Sequence, residues 1–368
     1  MRTKIIKAAA AAVAGLALAL GLAACGQAQT SSAASQDPTI NVMLDWTPNT
    51  NHVGLYAAKA LGYYKDEGIN INILPVSSAG AEQAVETGVA NIGFSTLSNV
   101  AAFDAKGAHL QLIFDLTQKD VAIWCALASN KSIKTPKDFS GKTFVTFGSA
   151  EQKAVLREMI KNAGGTGQFS TVTVGTSTFQ TLESGKGTFG GFYSTWEGVE
   201  SQLSGPKLTC FKSVDWGVPG NPTQLGYAVN TSWEQSHEKE VQEFVNATAR
   251  GYAYAVANPI QAAHFLVQGA KPTVVPVKLA EASMENIIDN DDWGNSKAIA
   301  AAWEKTKSAT ALPASALGGF GDIDFSQSQS YLDFLWKNGV YDTQSDPSPA
   351  QPNAQALGTN RFVNAKQS

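Results

Sequence analysis

Clusters of positive charge are missing from this sequence, and so are the signatures by which many enzymes and metalloproteins are recognised. Its 368 residues carry 27 Lys and Arg against 31 Asp and Glu. Nowhere do the cations gather into the patch that a nucleic-acid backbone requires, so nucleic acid is excluded as a partner. The chain has no phosphate-cradling Gly-Lys-Ser/Thr loop, no nucleophile elbow and no dinucleotide glycine fingerprint. Histidine is scarce, and His52, His109, His237 and His264 show no paired metal-ligand spacing. Asp289-Asn290-Asp291-Asp292 has the look of a calcium loop, but the place of its bidentate glutamate is taken by Ala300, which leaves a surface turn. No metal and no cofactor is implied.

A membrane-spanning run is absent too. The apolar stretch Ala8–Leu20 is too short to cross a bilayer. Arg2, Lys4 and Lys7 precede it and Leu22-Ala23-Ala24-Cys25-Gly26 follows, an order that reads as a secretory signal over residues 1–24. A cysteine at the cleavage point is the lipobox arrangement, which makes Cys25 the expected lipidation site and membrane anchor. Residues 25–38, rich in Ser, Ala and Gln, read as a flexible tether. Setting aside the three leader cations takes the formal net charge from −4 to −7. Export puts Cys125 and Cys210 in an oxidising compartment. A disulfide and two buried thiols both fit the sequence there.

What is present is apolar content, 43% against 16% charged, enough to bury a large core, in a length that favours two lobes over one. Strand and helix signals alternate, which predicts an α/β fold of two lobes, each a mostly parallel sheet flanked by helices, with two hinge crossovers. Thr39–Leu44, Ile69–Ile73, Asn91–Phe94, Leu110–Leu116 and Val121–Ala128 read as strands of the first lobe. A change to Lys, Pro and Asp at Ser129–Ser140 marks the first crossover, and the prolines and glycines of Asp215–Thr223 mark the return. The expected division is therefore 39–128 plus 222–342 for lobe 1 and 129–221 for lobe 2. Residues 343–368, rich in Gln, Asn, Ser and Pro, are expected to form a flexible tail. Ligands in such folds lie between the lobes, at the carboxyl ends of strands.

One run is specific: Leu44-Asp45-Trp46-Thr47-Pro48-Asn49-Thr50-Asn51-His52-Val53-Gly54-Leu55-Tyr56, followed by Lys59 and Gly62-Tyr63-Tyr64-Lys65. It resembles the opening of the solute-binding family that includes thiamine-precursor carriers and fungal pyrimidine-precursor synthases, with sulfonate- and nitrate-binding branches beside it. Glu86–Gly93 and Asp138–Thr143 are weaker matches in the same order. The resemblance implies a periplasmic-binding-protein type II fold. It also implies a monomeric lipoprotein that delivers a thiamine pyrimidine precursor to the permease and ATPase of an ABC importer. The synthase branch uses a cysteine-rich motif with iron. The matching segment Tyr193-Ser194-Thr195-Trp196-Glu197 has no cysteine, so binding is expected rather than catalysis.

The candidate site follows from the two aromatic-rich segments. Trp46 offers an indole face to a flat ring, and Asn49 and Asn51 can donate and accept. Asp45 either holds a polar ligand or pins its own loop, and His52 either meets ligand or caps its helix. Phe189–Gly198 reads as a loop on the opposite lobe. From it Tyr193 or Trp196 can cover the second ring face, and Glu197 can accept from an amine or a protonated ring. Ser95, Gly148 and Ser149 stand at helix starts, where free N–H groups face carbonyls or anions unless they serve only as caps.

Overall fold

The computed structural model describes residues 37–308, 312 and 317–364. The leader, Cys25, most of the tether and residues 365–368 lie outside the described residues. Of the two five-stranded sheets, the first holds β1 (Thr39–Met43), β2 (Asn70–Leu74), β3 (Ile92–Thr96), β4 (Leu110–Asp115) and β10 (Leu225–Asn230), in the order β2-β1-β3-β10-β4. The second holds β5 (Ala122–Leu127), β6 (Thr143–Thr146), β7 (Ser170–Thr173), β8 (Phe189–Tyr193) and β9 (Leu208–Phe211), in the order β7-β6-β8-β5-β9. Helices flank both.

Each sheet is mostly parallel, as expected, with one strand of the five running against the others. β1 runs parallel to β2 and β3, while β10 is antiparallel to β3 and β4. The second sheet repeats the plan, with β6 parallel to β7 and β8, and β5 antiparallel to β8 and β9. The antiparallel members, β5 and β10, are the two strands that arrive from the other sheet. No covering helix turns the chain round before them, so they run against their neighbours.

The first crossing lies earlier than composition suggested. The chain leaves β4 at Asp115 and enters β5 at Ala122, so the strand assigned to lobe 1 belongs to the second sheet. Leu116, Thr117 and Val121 in this link are buried, and its polar run Gln118-Lys119-Asp120 is much shorter than the polar stretch at 129–140. The Lys/Pro/Asp stretch at 129–140 is instead a connection within the second lobe. Its short turn Pro136–Phe139 stacks Phe139 on Phe189 with ring centroids 4.1 Å apart.

Two strands escaped sequence reading. β8 lies inside Phe189–Gly198, the aromatic-rich segment expected to be a loop. A Cβ on Gly191 would stand 2.9 Å from the Trp124 ring and 3.2 Å from Gln152 Nε2, so this glycine admits two large side chains against the sheet. β9 follows Pro206 and pairs with β5, setting Cys125 opposite Cys210. The two cysteines are joined as a disulfide across that strand pair, with Cα atoms 4.1 Å apart.

The segment expected to be a flexible tail is packed as far as it is described. The Trp336 indole N–H donates to the Pro349 carbonyl at 2.9 Å. The Thr359 N–H donates to the Leu112 carbonyl at 2.9 Å, beside a parallel bridge between Gly358 and Leu112. Ala354, Leu357 and Phe362 are buried. Three well-placed apolar anchors suffice where average composition suggested none, and the segment covers the exposed edge of β4.

Candidate functional site

A cavity of about 310 Å³ lies between the two sheets. Its walls come from the carboxyl ends of strands in both lobes, where side chains of the following loops and helix starts converge. The first lobe contributes Asp45, Trp46, Asn49 and Asn51 after β1, Ser95 and Thr96 at the end of β3, and Glu82 from the helix Ala81–Glu86. The second contributes Trp124 on β5, Phe147 and Ser149 after β6, Glu151 and Gln152 from the helix Ala150–Asn162, Tyr193 at the end of β8, and Trp196 and Glu197 after it. Trp46 and Phe147 meet edge to face across the cleft, centroids 5.8 Å apart. A wider cleft of about 480 Å³ opens on the hinge side, between Lys119, Lys212 and Asn290. It lacks the aromatic walls, and its lysines are exposed.

The loop after β1 is held from behind. His52 is fully buried, 0% exposed, and does not line the cavity. Its Nδ1 accepts the Asn49 backbone N–H at 3.2 Å, which places the proton of the neutral ring on Nε2, donating to Asp45 at 2.8 Å. His52 therefore acts on the site through Asp45. Asn49 faces the cavity, but its amide is engaged: the oxygen accepts from Asn51 N–H at 2.8 Å and the nitrogen donates to the Thr47 carbonyl at 3.1 Å. The Asn51 amide has no such partner among the described residues.

Ser95 is committed as well, donating to Glu82 at 2.7 Å, and Asn99 donates to the same oxygen at 2.8 Å. Ser149 caps its helix by accepting from Gln152 N–H at 3.3 Å. Gly148 is absent from the lining, and its N–H donates to Thr146 Oγ1 at 2.9 Å, which corrects its expected place as a free anion donor.

On the opposite wall, Glu197 accepts the Tyr193 backbone N–H at 3.1 Å. Burial pushes its carboxyl up to about 7, opposed by that hydrogen bond. Burial also raises the Tyr193 phenol, with Asp45, Glu151, Glu197 and Asp120 acting in the same direction. Both Glu197 and Tyr193 line the cavity. The Tyr193 hydroxyl has no hydrogen-bond partner among the described residues. The Trp124 indole N–H is buried and likewise unpartnered.

Trp46, Trp196, Tyr193, Glu197 and Asp45 thus come together around the cavity, whereas His52 and Gly148 are not among its lining. Sequence reading missed Trp124, Phe147, Glu82, Glu151, Gln152 and Tyr331. Trp124 lies within the strand that the pattern reveals at Val121–Ala128, so that strand was its available signal, while Phe147 directly follows β6. Tyr331 arrives from the distant helix Phe325–Lys337 and carried none.

Two mixed sheets, two short crossings and a ligand-sized aromatic cavity between them define the two-lobed periplasmic-binding-protein fold. The chain belongs to the NMT1/THI5-like family, whose model matches residues 49–262. It is 27% identical over 251 residues to the formylaminopyrimidine-binding protein of Halalkalibacterium halodurans, covering 67% of this chain and 75% of that one. It is 25% identical over 248 residues to the 4-amino-5-hydroxymethyl-2-methylpyrimidine phosphate synthase of Legionella pneumophila, covering 63% and 74%. In three dimensions it resembles the alkanesulfonate-binding protein SsuA from Xanthomonas axonopodis pv. citri bound to MOPS, with a TM-score of 0.62 at 11% identity over 88% of this chain and 98% of that one.

Proposed function

We propose that this chain is the extracytoplasmic solute-binding component of an ABC importer. Its ligand is an amine-bearing pyrimidine of the thiamine-precursor class, hydroxymethylpyrimidine or formylaminopyrimidine, held between the lobes. The observation that carries this reading is the composition of the cavity wall. Three tryptophans and two tyrosines supply flat apolar faces, Asp45, Glu82, Glu151 and Glu197 supply carboxylates, and no Lys or Arg is among the described lining residues. An aminopyrimidine brings two π-faces, exocyclic N–H donors and basic ring nitrogens. The faces match the indoles, and Glu197, with its carboxyl near 7, can accept from the amine or share a proton with the ring.

A sulfonate or nitrate ligand fits poorly. It would place a full negative charge beside four carboxylates with no cation to offset it, and like charges this close repel strongly in a desolvated site. The relative that binds formylaminopyrimidine supports the same choice. The synthase relative raises an enzymatic alternative. Against it, Tyr193–Glu197 contains no cysteine, and Cys125 and Cys210 are tied to each other.

Delivery requires a permease and an ATPase, and Cys25 is the proposed lipid anchor that keeps the carrier near them. Cys25→Ala is expected to release the protein from the membrane fraction, and unchanged fractionation would remove the anchor from the account. The ligand class is tested by thermal-shift screening of the mature chain. Thiamine precursors should raise the melting temperature by mass action while sulfonates leave it unmoved. A shift with sulfonates alone defeats the proposal.

A further inference from the structure

We propose that Glu151 is the closure latch of the binding cavity, held in the closed form by Ser98 and Tyr331 of the other lobe. Glu151 stands in the first turn of the helix Ala150–Asn162, on the second lobe. One carboxyl oxygen accepts from Ser98 Oγ at 3.0 Å and the other from the Tyr331 hydroxyl at 2.6 Å. Ser98 belongs to the helix Leu97–Asp104 that follows β3, and the helix carrying Tyr331 packs against it. Both bonds therefore cross from one lobe to the other. Burial raises the Glu151 carboxyl and the two hydroxyls oppose that rise, and no cation pairs with it among the described residues. A second inter-lobe bridge is buried elsewhere, away from the cavity lining. Ser283 Oγ donates to the Thr195 carbonyl and is held by Thr50 at 2.6 Å.

A carboxylate at this junction is well solvated when the lobes part and dry when they close. Closure is tolerated because two hydroxyls replace the lost water. Removing either hydroxyl leaves the carboxylate under-bonded in the closed form alone, so the equilibrium moves toward open. Removing the charge instead, as in Glu151→Gln, lifts the desolvation cost. The amide still accepts from Tyr331 and can donate to Ser98, whose hydroxyl reverses its role. The latch thus predicts opposite signs on its two sides, which a passive packing role does not.

The inference deepens the proposed binding role and rests on it only for the choice of probe. The test measures inter-lobe distances by electron-spin resonance in the full chain, with spin labels introduced through Lys186→Cys and Lys305→Cys. Samples are ligand-free and with saturating 4-amino-5-hydroxymethyl-2-methylpyrimidine. Ser98→Ala and Tyr331→Phe should each lower the closed-to-open ratio about tenfold, roughly the value of one hydrogen bond to a charged group, while Glu151→Gln keeps or raises it. Equal ratios in all variants, or opening of Glu151→Gln to the same extent as Ser98→Ala, overturns the latch. If the probe does not bind, the ligand reading fails and the ligand-free ratios still decide the latch. A wild type that never populates the closed distance in either condition also overturns it.

Discussion

His52 donates to Asp45 at 2.8 Å while accepting from the Asn49 backbone at 3.2 Å, so one buried ring ties together both ends of the loop that presents Trp46. The ring also packs edge to face on Phe94, centroids 4.8 Å apart. His52→Ala should therefore leave a cavity and strip Asp45 of its donor, lowering unfolding free energy by about 2–4 kcal/mol. Urea melts of the ligand-free protein measure this. A change within experimental error would mean the loop is held by other contacts.

Gly191 and Trp124 give a second test, because the close approach that shapes the cavity wall depends on a missing side chain. A Cβ on Gly191 would come within 2.9 Å of the Trp124 ring, against which a strand neighbour cannot yield. Gly191→Ala should displace the indole into the cavity, costing about 1–3 kcal/mol of stability by overpacking and weakening ligand binding as well. Calorimetry and thermal melts on the same sample read both effects. Full affinity in the variant would show that Trp124 does not shape the ligand space.

The fold was legible where periodicity and local chemistry agreed. Ser149 stands where the sequence places a helix start, and it caps the helix Ala150–Asn162. The site was legible only where residues crowd one segment, as at Asp45–Asn51 and Tyr193–Glu197. Its remaining wall was hidden because it is assembled by topology: Glu82, Glu151 and Tyr331 lie in three different helices and meet only after the chain has crossed lobes twice. His52 illustrates the opposite limit. Its type and place pointed equally to ligand and to scaffold, and only its burial separates the two. The first crossing, Leu116–Val121, is hard to read because it is only six residues long and the longer Lys/Pro/Asp stretch at 129–140 outweighs its polar run Gln118-Lys119-Asp120.

Glu197 provides the pH dependence. Its carboxyl lies at about 7 in the folded protein against 4.5 ordinarily, with burial as the chief cause. Between those values the unfolded chain has lost the proton and the folded chain has not, so rising pH favours unfolding. The contribution of Glu197 to stability is full below pH 4.5, declines through this window and is flat above 7. Glu197→Gln removes the effect, so the ligand-free variant should lose less stability than wild type between pH 5 and 8, by about 2–3 kcal/mol at most. Urea melts at the two pH values give the comparison. Equal losses would place the carboxyl in water rather than in the wall.

Recognition of a flat, amine-bearing ring through indole faces and a carboxylate is what separates the proposed ligand from an oxyanion. Isothermal titration of the mature wild-type chain and of Trp46→Ala with 4-amino-5-hydroxymethyl-2-methylpyrimidine and with an alkanesulfonate tests it most directly. Wild type should bind the pyrimidine and not the sulfonate, and Trp46→Ala should weaken the pyrimidine by about 1–3 kcal/mol through lost stacking and apolar burial. Tight sulfonate binding by wild type, with no heat from the pyrimidine, would contradict it.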